Sequence, residues 1–209
     1  MRMDQRDIFL EMQTHLIEDE NPSVYLNEMH EKGLFREYPF QMLHKMRDTE
    51  QSPIYHPEGN VWIHTMQVID VAAKVKKRSR DPRVFMWAAL LHDIGKPAVT
   101  KMRKGRITSY NHDQEGEKLA RDFLSYFLED KTFIEKVCGL VRYHMQILFV
   151  VKGQPYADLK GMKKRTDLQE VALLGLCDRL GRDTQNKEEE EKNIMLFIQT
   201  CNEQGSISG

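Results

Sequence analysis

Leu91-His92-Asp93-Ile94-Gly95-Lys96-Pro97 is the stretch on which the reading of this chain turns. Upstream of it, Val84, Trp87, Ala88 and Leu91 recur at three- and four-residue spacings, and Asp81-Pro82 opens the segment. Together these mark an amphipathic helix with a proline at its first turn. Gly95 and Pro97 signal that the helix stops there, which leaves His92 and Asp93 at its end. Neighbours on a regular helix diverge by about 100°, but at a helix end both can turn to one site. Imidazole and carboxylate are the ligands of Fe, Mn, Ni, Co, Zn and Mg. The pair therefore predicts a divalent-metal pocket, with Asp93 able to bridge two ions.

Four further residues point the same way. His64 lies three residues after Val61 and four before Val68, on the apolar stripe of a helix that continues through Val71, Ala72 and Val75. His144 follows Val137, Leu140 and Val141, and Asp178 follows Val171 and Leu174. His112 precedes Gly116, Leu119 and Phe123 on one face. A lone histidine on an apolar stripe is ordinarily a core residue, and a lone buried carboxylate is costly. Separate apolar stripes that each present a metal-binding side chain, beside His92-Asp93, are explained together by a metal centre of one or two ions.

Lys plus Arg (31) balances Asp plus Glu (32), so any electrostatic attraction must be local. At 209 residues the chain is read as one domain with a helical extension: residues 1–55 as an extension packed on the core, and residues 56–209 as the domain proper. Cys138, Cys177 and Cys201 lack CxxC spacing and read as reduced, packed thiols, Cys177 included despite its neighbour Asp178. No stretch has the apolar length of a signal peptide or a membrane span, so a cytoplasmic protein without membrane contact is expected.

Helical periodicity dominates over strand alternation. Helices are predicted over residues 4–18, 22–33 (stopped by Gly33), 37–47, 113–129, 132–148, 166–180 and 186–203, with a basic, glycine-containing loop at about 97–110. Residues 51–60 form a loop with two prolines and a glycine. Glu188, Glu189, Glu190 and Glu191 read as a solvated helix start, and residues 205–209 as a frayed tail.

His64, His92-Asp93 and Asp178 resemble the H…HD…D signature of the HD superfamily of metal-dependent phosphohydrolases. His56-Pro57-Glu58-Gly59-Asn60-Val61-Trp62 with His64-Thr65, and Leu91 to Pro97, are closer still to the HD domain of bacterial tRNA nucleotidyltransferases, the CCA-adding enzymes. Tyr110-Asn111-His112 with Gly116, and Asp178-Arg179-Leu180-Gly181-Arg182, add to the likeness, which covers most of residues 20–185. It implies an all-α helical bundle around His64, His92, Asp93 and Asp178, with His112 and His144 matching the extra histidines of binuclear members. A GS motif followed by a DxD pair is lacking, with no room for a polymerase head before residue 20, so nucleotide addition is not expected. The tyrosine-proline signature of cyclic-di-GMP phosphodiesterases and the acidic pair of alarmone hydrolases are missing too. Asn60 stands where the family often has Asp.

A divalent ion lowers the pKa of bound water and polarises a phosphoryl oxygen. Lys96 beside the HD pair is placed to neutralise developing charge. Arg182, four residues after Asp178, can clamp phosphate if Gly181 does not end the helix first. Glu58 is a candidate base or histidine orienter. Three basic clusters lie at Lys74, Lys76, Lys77, Arg78 and Arg80; at Lys101, Arg103, Lys104 and Arg106; and at Lys160, Lys163, Lys164 and Arg165. The middle one should hang at the pocket mouth and suit a nucleotide or an RNA end, with Tyr110 and Phe149 as the nearby stacking candidates. The expected activity is hydrolysis of nucleotide-like phosphoesters, and the resemblance to the tRNA-enzyme domain implies 2′,3′-cyclic phosphodiesterase or phosphatase activity. The alternatives are a (deoxy)nucleoside monophosphate phosphatase and a non-catalytic, metal-stabilised module that binds RNA or a protein partner.

Overall fold

The structure, a computed structural model, describes residues 4–128, 130–183 and 186–206. Helix α5 (Pro82–Leu91) is its axis: every residue from Val84 to Leu91 is buried, as expected of a helix apolar all round. Asp81 caps it, its carboxylate accepting from Val84 N at 3.2 Å. Around α5 pack α4 (Val61–Val75), α8 (Lys131–Tyr143), α11 (Leu168–Leu180) and, from the N-terminal segment, α1 (Gln5–Glu18). Helix α7 (His112–Phe127) lies along α8, and α12 (Lys187–Ser206) along α11. Asn60, the departure from the family pattern, caps α4 by accepting from Ile63 N at 3.0 Å.

Helices α2 (Pro22–Glu31) and α3 (Gln41–Arg47) complete the N-terminal layer, which is held by aromatic packing. The Phe9 ring stacks on Trp87 and Phe127 with centroids 4.7 and 4.5 Å apart. Phe40 meets Phe123 and Phe127 at 5.6 and 5.2 Å. Trp62 Nε1 donates to Asn27 Oδ1 at 2.8 Å and ties α4 to α2.

Several elements differ from the sequence reading. The basic loop contains a short helix, α6 (Lys96–Val99), and a hairpin of β1 (Lys101–Arg103) with β2 (Arg106–Thr108), in the register Arg103↔Arg106. The otherwise all-α fold thus carries a two-stranded ribbon. Its two-residue turn, Lys104-Gly105, has φ +48° and +73°, the backbone of a tight hairpin turn that Asn-Gly would have signalled more clearly. The helix expected over 132–148 is two, because α8 stops before His144 and α9 (Gln146–Val151) starts anew. Helix α10 (Leu159–Arg165), capped by Asp158, was not legible as a helix; only its basic side chains were. Helix α3 begins after Pro39, four residues later than expected. Glu190 is not solvated: it is buried against Arg179, with Nη1–Oε2 at 2.9 Å. Helix α12 reaches Ser206, so Gly205 and Ser206 are helical, and the rest of the expected frayed tail, like residue 129 of the predicted 113–129 helix, lies outside the described residues. All three thiols are free and buried, and burial pushes Cys177 up to about 12, a packed rather than a ligating cysteine. Among the described residues no helix is long and apolar enough to cross a membrane.

The aromatic seam yields one expectation. Phe9→Ala removes a fully buried ring from the junction of layer and bundle and should cost about 3–5 kcal/mol, measurable by denaturant unfolding.

A second concerns His30, buried in α2 between two basic neighbours. Arg47 Nη1 donates to its Nδ1 at 3.0 Å, and its Nε2 lies 3.0 Å from His44 Nδ1. Burial, then His44 and Arg47, lower its pKa, outweighing Asp48 and Glu31. The native state therefore binds fewer protons than the unfolded chain below the ordinary histidine value of about 6.5. The stabilising contribution is present above that pH and is lost as pH falls toward the depressed native value. Between about pH 7 and about pH 5, Tm should fall less steeply in His30→Gln than in wild type.

Candidate metal centre

Three of the four imidazoles of the site are fixed by what their Nδ1 faces. His92 Nδ1 donates to Ala89 O at 2.8 Å, His112 Nδ1 to Ser109 O at 2.8 Å, and His144 Nδ1 to Val141 O at 2.7 Å. A carbonyl only accepts, so the proton sits on Nδ1 and the lone pair on Nε2. Ala89 and Val141 belong to the last turns of α5 and α8, whose carbonyls lack helical partners. His64 differs: Glu58 Oε1 lies 2.9 Å from its Nδ1 and 2.8 Å from that of His56, but the His64 hydrogen bond is made by Nε2, to Asp178 Oδ1 at 2.9 Å, which a cation bound between them would replace. Glu58 is held at about 2; burial opposes ionisation, and contacts from His64, its own backbone and His56 outweigh it.

The four Nε2 atoms converge on Asp93, whose two oxygens face different ways. Oδ2 lies 3.3 Å from His92 Nε2 and 3.8 Å from His64 Nε2. Oδ1 lies 3.4 Å from His112 Nε2 and 3.8 Å from His144 Nε2. Asp178 Oδ1 completes the first side, 2.9 Å from His64 Nε2. All six predicted metal-site residues are thus brought together, and all are buried. Helix termini do the aiming: α5 ends at Leu91, α7 begins at His112, and α8 ends just before His144. Gly95 is needed for space, since a Cβ there would overlap His112 O and the Gly116 backbone; its absence lets the start of α7 rest on the His92-Asp93 turn.

Lys96 is buried rather than exposed at a helix end, with Nζ 2.6 Å from Asp93 Oδ2 and donating to Gln51 Oε1 at 2.5 Å. Gln51 was missed by sequence reasoning; a single glutamine in a loop carries no signal of its role. Gly181 does end α11, yet Arg182 still reaches back, with Nη2 3.2 and 3.3 Å from the two Asp178 oxygens. Both carboxyls lie well below the usual carboxylate range. For Asp93, burial works against this and Lys96 and His92 prevail; for Asp178, burial is overcome by Arg182 and His64. Burial, then His112 and His92, lower His144 to about 4, and burial lowers His112. At His92 burial acts downward, but Asp93 reverses it and the pKa rises. Positive charge is therefore most favoured between His92 and the two aspartates.

This donor set fits a divalent cation. Ligand distances of about 2.0–2.2 Å place neighbouring donors roughly 3–3.5 Å apart, close to the 2.9–3.8 Å separations around each Asp93 oxygen. His92 Nε2 is buried with no hydrogen-bond partner among the described residues. His112 and His144 aim two Nε2 lone pairs at each other across 3.2 Å, a repulsive arrangement that a cation relieves. Two groups of side chains sharing Asp93 are positioned to hold metal: His64, His92 and Asp93, and Asp93, His112 and His144.

The site opens into a cavity of about 580 Å³ whose basic lining groups are Lys96, Arg106, Lys152 and Arg182. Of the predicted basic loop only Arg106 lines it; Lys101, Arg103 and Lys104 do not. The other two basic clusters lie elsewhere, with Arg165 paired to Glu117 and Arg80 to Asp167.

A family model described as HD domain matches residues 61–183. A Multifunctional CCA protein of Actinobacillus pleuropneumoniae serotype 5b (strain L20) is 33% identical over 158 residues, covering 73% of this chain and 36% of that protein. Its namesake in Pasteurella multocida (strain Pm70) is 27% identical over 195 residues, 90% of this chain and 40% of that protein. A CC-adding tRNA nucleotidyltransferase of Thermus thermophilus is 40% identical over 63 residues, 29% of this chain and 14% of that protein. The chain thus spans well under half the length of these curated relatives. With the matched segment enclosing the convergence of His64, His92, Asp93, His112, His144 and Asp178, the chain belongs to the HD domain family.

Proposed function

We propose that this protein is a divalent-metal-dependent phosphohydrolase acting on nucleotide-like phosphoesters, with a 2′,3′-cyclic phosphodiester at a nucleotide or RNA end as its sharpest substrate assignment. The observation that carries this reading is the division of Asp93, one oxygen toward His64 and His92 and the other toward His112 and His144, with Lys96 and Arg182 beside it. Lys96 and Arg182 offset the Asp93 and Asp178 charges, and both also line the cavity, where an anionic substrate would meet them.

His64, His92, Asp93 and Asp178 would hold one ion, and His112 and His144 with Asp93 a second. A bound divalent ion supplies an ionised water near neutral pH and polarises a phosphoryl oxygen. The remaining work falls to the chain. Glu58 lies against Nδ1 of both His56 and His64 and would favour the His64 proton there once an ion takes Nε2. Lys96, held by Gln51 and Asp93, presents a fixed ammonium to the negative charge that grows on the phosphoryl group. Arg182 offers a guanidinium anchored by Asp178, and Arg106 and Lys152 raise the local concentration of an anionic substrate. The RNA-end assignment draws support from a relative named as a tRNA nucleotidyltransferase. Three free, buried thiols suit a reducing cytoplasm.

Asp93→Ala should abolish both bound metal and hydrolysis of a cyclic nucleotide panel. Lys96→Ala should retain metal while kcat falls about 10²–10³-fold. Metal analysis and steady-state rates on the same preparations check both, and full metal content in wild type with no turnover of cyclic, mono- or diester nucleotides would sink the hydrolase reading.

His112 and His144 lie only on the Oδ1 side of Asp93. Replacing both with Ala should lower metal stoichiometry from two ions to one; an unchanged stoichiometry and rate would refute the second ion.

A further inference from the structure

Beside the metal-facing cavity lies a second, of about 550 Å³, and the two share Ser109, Tyr110, His112, Met145, Leu148 and Gln154 as walls. Each is within the roughly 300–1,000 Å³ range of pockets that enclose small ligands. Their chemistry differs. The first is lined by Lys96, Arg106, Lys152 and Arg182, a set for phosphate. The second adds Phe149 and Tyr156 to Tyr110, together with the carboxamides of Asn111 and Gln114 and the paired charges of Asp113 and Arg142.

The aromatic rings are presented outward. Tyr110 is 62% exposed, with the Arg103 guanidinium 5.2 Å from its ring centroid, and Tyr156 is 69% exposed. Phe149 and Tyr156 meet edge to face with centroids 5.8 Å apart, which fixes one ring by the other and leaves faces open. The break between α8 and α9 makes this lobe: it ends one helix at His144 for the metal centre and starts the next, which carries Leu148 and Phe149. A flat, π-bearing group that also offers donors and acceptors at its edge matches rings flanked by carboxamides. A ligand anchored by phosphate in the first cavity would extend its other end into the second.

We infer that the lobe bounded by Tyr110, Phe149 and Tyr156 is a nucleobase subsite, so that the ligand of this centre is a nucleoside phosphate whose base stacks on these rings while Gln154, Gln114 and Asn111 face its edge. This rests on the phosphoester reading above for the placement of the phosphate, and on the aromatic lobe alone for the base.

The test is equilibrium binding by calorimetry on the full chain, with adenosine 5′-monophosphate against ribose 5-phosphate, which keeps sugar and phosphate but lacks the base. Adenosine 5′-monophosphate should bind at least about tenfold tighter, and Phe149→Ala and Tyr156→Ala should each erase about that factor while ribose 5-phosphate affinity holds. Tyr156→Trp, which preserves a stacking face at an exposed position, should retain the preference and guards against a folding defect in Phe149→Ala. Equal affinities for the two ligands, equal losses of both in the variants, or no binding of either at millimolar concentration would overturn the subsite. Parallel turnover of bis(p-nitrophenyl) phosphate separates the two claims. Hydrolysis without base preference leaves the phosphohydrolase standing and removes the subsite, whereas base-dependent binding without hydrolysis of any phosphoester does the reverse.

Discussion

The candidate metal centre depends on the proton donated at the back of three of its four imidazoles. Three of the four histidines give Nδ1–H to a backbone carbonyl three residues earlier, and for His92 and His144 that carbonyl belongs to a helix end that has run out of helical partners. Each such bond contributes only about 1 kcal/mol net. Its larger consequence is directional, because it fixes the tautomer and sends the Nε2 lone pair inward. Helices that stop at Leu91 and Tyr143 are therefore part of the site, and extending either by a turn would use up the carbonyl that orients the ring.

Charge sets the second constraint. Glu58, Asp93 and Asp178 are buried carboxylates, and an unpaired buried charge costs several kcal/mol. Lys96 and Arg182 offset two of the three, leaving one net negative charge on the carboxylates. The raised pKa of His92 shows where the chain draws positive charge in response. Two lone pairs facing across 3.2 Å at His112 and His144 tell the same story on the other side of Asp93. The protein has built a concentration of donors whose mutual repulsion is lowered by cations, and the surrounding bundle holds it rigid.

That rigidity comes from packing remote from the ligands. Helix α5 is sealed on all sides, the N-terminal layer locks onto Trp87 through Phe9, and α7 can approach the His92-Asp93 turn only because Gly95 and Gly116 meet without side chains. The same turn sends the chain into the short ribbon that contributes Arg106 to the cavity, and the α8–α9 break carries Phe149 to its neighbour. Ligand positions and cavity walls thus follow from the same helix ends.

The sequence by itself determined the helical class, most helix positions and the six converging residues, because apolar periodicity marks an inward face and several separate faces each carry a His or Asp beside His92-Asp93. It also marked Lys96 and Arg182 by their spacing from those residues, and Glu58 as a candidate base or histidine orienter. What only the tertiary structure decided was which partner each group meets. Gln51 holds Lys96 from 45 positions away, and Glu190 leaves a run of acids to pair with Arg179 across two helices. The hairpin at Lys104-Gly105 and the break at His144 escaped the periodic reading too, since both are ends rather than repeats. A period reports which way a side chain faces along its own helix; the division of Asp93 between two pairs of histidines exists only once separate helix ends have been packed to within a few ångströms of one another.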